Sequence, residues 1–426
     1  MVVFYAFFSF FLLYMIGMPI AFSIIVTCML LYVLNIGTLS LLGLVQTMGT
    51  GIDSFILLAV PLFILTGKLM NEAKITDKIF NFSGSLVGHI KGGQAHINVL
   101  ASLIFAGMSG SAVADTAGLG EIEIKAMTDR GYGGAFSAAI TAASSVIGPI
   151  FPPSIDLLVY AAISSTSAGK LLLGGVVPGV TMAIVLMIAS YIISVKRNYP
   201  REEPASLKRI LFSFKKAFFP LLTPLVLLAF IAFGITTPTE AAAVVVSYSL
   251  ILGIVFYKTI NMKTLSRILL EVGVTTSVVL IIISAVSSFT WIITYRMLPQ
   301  QFTEFIFSFS YNPNIVILLI IALLFLIGCI MNPTSGLVMS MPLLLPLAKA
   351  IGFNLVQFGV LSVLVLDIGL LTPPVCLCTF ISANIAKVSI NEVVKESIPF
   401  IIVLMLTALL VAFVPALTTF FPELFF

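Results

Sequence analysis

Two segments of this chain break helices in a sequence otherwise built for lipid. One is Gly107-Met-Ser-Gly-Ser-Ala-Val-Ala-Asp-Thr-Ala-Gly118, and the other is Gly148-Pro-Ile-Phe-Pro-Pro-Ser154. Inside a bilayer, irregular backbone survives only where it is buried in protein or lines a cavity, because unpaired N–H and C=O groups find no water there. Both segments recur. Gly107, Gly131, Gly148, Pro152, Pro153 and Pro178 return without a gap as Gly328, Gly352, Gly369, Pro373, Pro374 and Pro399, a constant offset of 221 (148 to 369). The pattern predicts an all-α polytopic membrane protein: a tandem repeat in which each half carries one re-entrant helical hairpin and one broken helix.

Lipid as the solvent follows from composition. Charged residues are 9% and apolar ones 60% of the chain, with a mean hydropathy of +1.20, against roughly 25% and 45 to 50% for a soluble domain. The N-terminus lacks a basic region before its first apolar run, so no cleavable signal peptide is expected. Cys28, Cys329, Cys376 and Cys378 lie in apolar runs, and Cys376-Leu-Cys378 lacks zinc-site spacing. Nothing in the sequence supports catalysis or nucleic-acid binding.

Apolar helices are predicted over 2–16, 19–35 and 54–70, then a short pair over 94–107 and 113–130. Fourteen residues at 1.5 Å each reach about 21 Å, short of the roughly 30 Å hydrocarbon core, so that pair enters and returns on one side. A broken span over 133–168 and an unbroken one near 172–195 complete a first repeat, 1–195. Residues 196–216 then carry seven of the 21 Lys and Arg, which makes this loop cytoplasmic under the positive-inside rule. The second repeat, 217–426, has spans near 217–235, 239–258 and 272–291, a hairpin over 313–350, a broken span over 354–388 and a last span near 397–421.

Five crossings separate the starts of the two hairpins. Five is odd, so the repeats are inverted and the hairpins enter from opposite sides. Lys258, Lys263, Arg267, Lys387 and Lys395 fall on the cytoplasmic side as the rule expects, while Lys349 and Arg296 fall against it.

Inverted repeats with opposed hairpins and interrupted helices are the sequence pointer to a secondary transporter's midplane site. An interrupted helix exposes N–H groups on one side of the break and C=O groups on the other; the first suit an organic anion and the second a small cation. The hairpin turns add hydroxyl and amide oxygens, a hard-cation donor set. One sodium site is expected at Ser109, Gly110, Ser111, Gly148 and Pro152, and a second at Asn332, Thr334, Ser335, Gly369 and Thr372. The glycines allow close approach, and the Pro-Pro pairs remove donors. The substrate is expected between the sites, against Asp115, Thr116, Pro153, Ser154, Pro333, Gly336 and Pro374. Asp367 is a further candidate, since a carboxylate at membrane depth is costly unless paired or coordinating. Glu240 and Asp53 read as helix-terminus residues, and His89 and His96 have no companion ligands.

These hairpin and broken-helix motifs strongly resemble the large membrane subunit of tripartite ATP-independent periplasmic (TRAP) transporters over nearly the whole chain. The resemblance implies an inner-membrane elevator transporter coupled to sodium, with no cofactor beyond Na⁺. It also implies a separate small membrane subunit and a periplasmic binding protein as partners. Their joint cargo would be an organic acid of the C4-dicarboxylate or sialic acid class. The rival readings are a stand-alone sodium-carboxylate symporter of the divalent anion type and a coupling subunit that carries no substrate.

Overall fold

A computed structural model describes residues 2–34, 40–73 and 75–426, and among these the regular structure is helical, with no strand. The N-terminal part comprises α1 (Val2–Met15), α2 (Ile20–Leu34), α3 (Leu41–Ile52), α4 (Ala59–Glu72) and α5 (Thr76–Val87). The first hairpin follows as α6 (Gly93–Ser109), α7 (Ala112–Gly118) and α8 (Gly120–Thr128), and the first broken helix as α9 (Gly134–Ser145) and α10 (Ile155–Ser164). α11 (Ala168–Gly174) and α12 (Val176–Lys196) run on almost continuously. Next come α13 (Leu207–Ala232), α14 (Pro238–Ile251), α15 (Met262–Tyr295) and α16 (Leu298–Phe309). α17 (Pro313–Ile330) and α18 (Pro333–Ala350) form the second hairpin, α19 (Leu355–Ile368) and α20 (Leu377–Ala386) the second broken helix, and α21 (Ile390–Phe413) and α22 (Ala416–Phe425) close the chain. Among the described residues, seven helices are long and apolar enough to cross a membrane.

Several expected boundaries move. The basic loop is shorter than 196–216: α12 runs to Lys196 and α13 begins at Leu207, placing Lys208, Arg209, Lys215 and Lys216 on its first turns. Ser206 starts that helix by accepting from Arg209 N at 3.3 Å. α3 and α16 are helices where none was expected; α3, rich in glycine, is held by packing along α15, where Ser284 and Ser288 donate to the carbonyls of Met48 and Leu44. The last span divides into α21 and α22. Asp53 ends α3 as its C-cap rather than opening the next turn, a position that Ser54 takes. Glu240 and Thr237 form a reciprocal capping box at the start of α14. Residue 35, the end of the expected second span, lies outside the described residues.

The hairpins enter from opposite ends. Residues 197–206 clasp the base of the first: Gln94 Nε2 donates to Glu202 Oε1 at 2.8 Å, Arg130 pairs with Glu202 at 2.8 Å, and Tyr132 Oη donates to the Pro200 carbonyl at 3.0 Å. α21 starts at this basic end, where Glu396 pairs with Arg197 at 2.9 Å. At the far end of α21, the carbonyls of Val411 and Ala412 accept from Gln357, one turn beyond the base of the second hairpin. Each broken helix then crosses to the other hairpin: α10 packs on α18, and α20 packs on α7 and α8.

Glycine makes these crossings possible. A Cβ at Gly369 would run into the backbone of Gly328 and stand 2.6 Å from Cys329 N, whereas Gly49 on α3 has nothing within 4 Å. Gly369→Ala should therefore cost about 1–3 kcal/mol through overpacking and lower the apparent melting temperature in detergent. Gly49→Ala should leave it unchanged or slightly raised. Equal melting temperatures for the two variants would refute this packing account.

Candidate functional site

The first junction is assembled from the tip of the first hairpin and the first break. Gly110 adopts a φ of 65°, the left-handed region where a side chain is strained, and its missing Cβ leaves room for the Pro153 carbonyl. Ser111 caps α7, accepting from Ala114 N at 3.4 Å. Ser109 donates to Asp115 Oδ1. The other oxygen of Asp115 faces the break: a Cβ at Gly148 would stand 2.7 Å from it. Ser154 caps α10, accepting from Leu157 N at 3.1 Å and donating to the Pro149 carbonyl. Both Pro-Pro bonds, Pro152-Pro153 and Pro373-Pro374, are cis.

The second junction repeats the plan with different side chains. Asn332 caps α18, accepting from Thr334 N at 3.1 Å, and Pro333 takes the first helical position, where no N–H is needed. Val375 N donates to the Cys329 carbonyl at 3.2 Å, tying the break to the hairpin through backbone. Thr372 Oγ1 lies 3.2 Å from the carbonyls of Ile368 and Gly369. Ser335 is buried in the first turn of α18.

The second hairpin is bonded to the first broken helix: Thr334 Oγ1 donates to Asp156 Oδ1 in the first turn of α10. Asp156 was missing from the expected set. Following a capping serine in the first turn of a helix, it reads locally as a dipole-compensating acid, and its partner lies 178 residues away. Asp115, expected against the substrate, lies at the first junction, between Ser109 and Gly148. Thr116 donates to the Ala112 carbonyl of its own helix at 2.9 Å, and a Cβ at Gly336 would meet Ile327 and Leu366, so these two face packing.

A buried polar string extends from the first junction toward the basic end. Asn98 Nδ2 donates to Thr141 at 2.6 Å, Ser144 donates to Asn98 Oδ1 at 2.7 Å, and Ser102 lies 3.4 Å from Glu123 Oε1. Sequence reasoning also missed Glu123, whose surroundings in the chain read as an ordinary solvated helix.

Most polar groups in the junctions are satisfied, and the exceptions are carboxylate oxygens. Asp115 is 0% and Asp367 1% exposed, yet Asp115 Oδ2 and both oxygens of Asp367 have no hydrogen-bond partner. A carboxylate buried in this way costs several kcal/mol unless a cation or a proton neutralises it.

Opposed hairpins, two broken helices and buried acids at their junctions define a multi-pass membrane permease, not an enzyme. Residues 7–417 match the family model of the tripartite ATP-independent periplasmic transporter, DctM component, and the chain belongs to that family of inner-membrane proteins. It is 42% identical over 409 residues to the sialic acid TRAP transporter large permease protein SiaM of Vibrio cholerae, covering 96% of each chain. It is 32% identical over 371 residues to the C4-dicarboxylate TRAP transporter large permease protein DctM of Pseudomonas aeruginosa, covering 87% of each. In fold it is similar to the YdaH transporter of Alcanivorax borkumensis, with a TM-score of 0.63 at 14% identity over 87% of this chain and 86% of that one.

The bond between Thr334 and Asp156 is testable by a double-mutant cycle. Thr334→Val and Asp156→Asn should each cost about 1.5–3 kcal/mol, as for a hydrogen bond to a charged group, with the double variant costing clearly less than the sum. Additive losses in thermal unfolding would show that the two side chains do not interact.

Proposed function

We propose that this chain is the sodium-coupled permease of a TRAP system, moving an organic acid of the sialic acid or C4-dicarboxylate class by an elevator mechanism. The observation that carries the reading is the set of buried, donorless carboxylate oxygens on Asp115 and Asp367 beside the two junctions. The carboxylate, hydroxyl and carbonyl oxygens gathered at the two junctions fit a hard monovalent cation. One ion would be held by Asp115 with Ser109, Ser111 and the carbonyls near Gly148. The second would be held by Asp367 with Ser335, Thr334 and the carbonyls near Gly369. The substrate would lie between them, near the Asp156 and Thr334 pair. When bound, sodium supplies positive charge that offsets the buried acids and draws the substrate carboxylate inward.

In this reading 1–195 and 217–426 are the two repeats, and the hairpins with the broken helices form the moving body. The relatives' names support the substrate class, and the family's tripartite name supports a small membrane subunit and a periplasmic binding protein as partners. Residues 197–206 would face the cytoplasm. Energetics favour at least two ions: each charge moved through 100 mV is worth about 2.3 kcal/mol, and each tenfold gradient adds about 1.4. Two sodium ions with one monoanion then supply about 5 kcal/mol. A single ion, its charge cancelled by the anion, supplies only its gradient term.

In proteoliposomes holding both membrane subunits, uptake of N-acetylneuraminate or succinate should require an inward sodium gradient and the cognate binding protein. Asp115→Asn and Asp367→Asn should cut that uptake at least tenfold and remove the sodium-dependent rise in melting temperature, which grows with the logarithm of ion excess. Undiminished sodium stabilisation in both variants would overturn the ion assignment. For topology, a cysteine replacing Lys208, exposed at the start of α13, should react only with reagents that reach the cytoplasm. Labelling from the periplasmic side would invert the orientation.

A further inference from the structure

A cavity of about 420 Å³ lies between α4, α15 and the tip of the first hairpin, within the 300–1,000 Å³ range of small-molecule sites. Ser109 and Ser111 of the first junction line it on one side, Gly67, Lys68 and Asn71 of α4 on the other, and Thr275 closes it from α15. Lys68 is the one ionisable residue among its lining side chains. Contact with the hairpin tip is immediate, for a Cβ at the neighbouring Gly67 would stand 3.1 Å from Ser109 Cα.

The pairing of Lys68 suits exchange. Its Nζ lies 2.6 Å from Glu271 Oε2, with side chains 36% and 40% exposed. Such part-exposed pairs contribute about 0–1 kcal/mol, so a second carboxylate can displace the first at little cost. Glu271 is not stranded when this happens. Its other oxygen lies 3.4 Å from Arg267, which also pairs with Glu72 at 2.8 Å. The cavity at the other end of this helix interface, about 370 Å³, is lined by Asp53 and by no cation. Of these two cavities, the one at the basic end carries the cation that would receive an anion.

We propose that Lys68 forms an anion subsite in this cavity, taking a carboxylate of the cargo as it leaves the junctions, with Glu271 holding the ammonium group in place while the cavity is empty. The proposal rests on the reading that an organic anion passes the hairpin tip. Its weak, exchangeable pairing is what a release path requires, since a tight site there would trap the cargo.

The test does not require the cargo to be known. Ala114 is an exposed cavity-lining residue, and all four native cysteines are buried. In the full chain in nanodiscs, Ala114→Cys is labelled with a sulfonate-bearing and a trimethylammonium-bearing methanethiosulfonate, and the ratio of rates is read. Val113→Cys serves as a second reporter. Lys68→Gln should lower the anion-to-cation ratio about three- to tenfold, the size expected for removing one charge a few ångströms away in a hydrated site. Lys68→Arg should retain the ratio, and Glu271→Gln should raise it. An unchanged ratio in Lys68→Gln at both reporters, or a lowered ratio in Glu271→Gln, overturns the subsite. Sodium-driven uptake by the wild-type protein is scored in parallel and bears on the transport reading alone, so the two can fail separately.

Discussion

Everything in this fold depends on how bare peptide groups are satisfied where two helices stop inside the membrane. Neither break leaves its backbone to lipid. Ser154 and Ser111 cap the helices that restart at the first junction, Asn332 does so at the second, and Val375 finds its acceptor on the Cys329 carbonyl. Thr372 lies over the carbonyls that end α19. The hydroxyl and amide groups that look like ligands in the sequence therefore do structural work first. Carboxylate oxygens remain unsatisfied, and the functional reading rests on them.

The repeat preserves the scaffold but not the charge. Applying the same offset that pairs Gly148 with Gly369, Asp115 corresponds to Gly336, Asp156 to Leu377 and Asp367 to Val146. Each acid thus occurs in one repeat only, although backbone breaks, prolines and close-packed glycines occur in both. Coulomb repulsion gives a reason: duplicated acids would bring more like charges into a low-dielectric centre, where each pair costs more than it would in water. Two related junctions therefore need not offer the same donors, although both combine a hairpin tip with a broken helix.

What could be read from the sequence follows from range. The second hairpin, expected over 313–350, runs from Pro313 of α17 to Ala350 of α18, and its first helix fills the continuous apolar run between Asn312-Pro313 and Met331-Asn-Pro. The breaks were legible because Gly and Pro punctuate locally. α3 was not: Gly43, Gly49 and Gly51 weaken its intrinsic preference, and its helix is imposed by α15, more than 200 residues later. Asp156 and Glu123 were missed for a related reason, since each owes its meaning to partners brought in by the fold, and its sequence neighbours make it look ordinary. Lys68 lies within the apolar helix expected over 54–70, and only packing sets it beside the hairpin tip.

The kinds of contact in the bundle differ in how readily they can move. Hairpin and break are locked by backbone against backbone, as at Gly110 with Pro153, Gly369 with Gly328, and Val375 with Cys329. Shifting any of these would expose peptide groups or drive main chain into main chain, which packed interiors resist. Between hairpin and outer helices the contacts are of another sort: a glycine against a serine at Gly67 and Ser109, part-exposed ion pairs, and cavities of about 420 and 370 Å³ at the two ends. Small residues and exchangeable pairs allow sliding at low cost, as in shear motions between packed helices. In the proposed transport cycle the parting line would run between the locked unit and α4 and α15, with Lys68 on that line beside the hairpin tip.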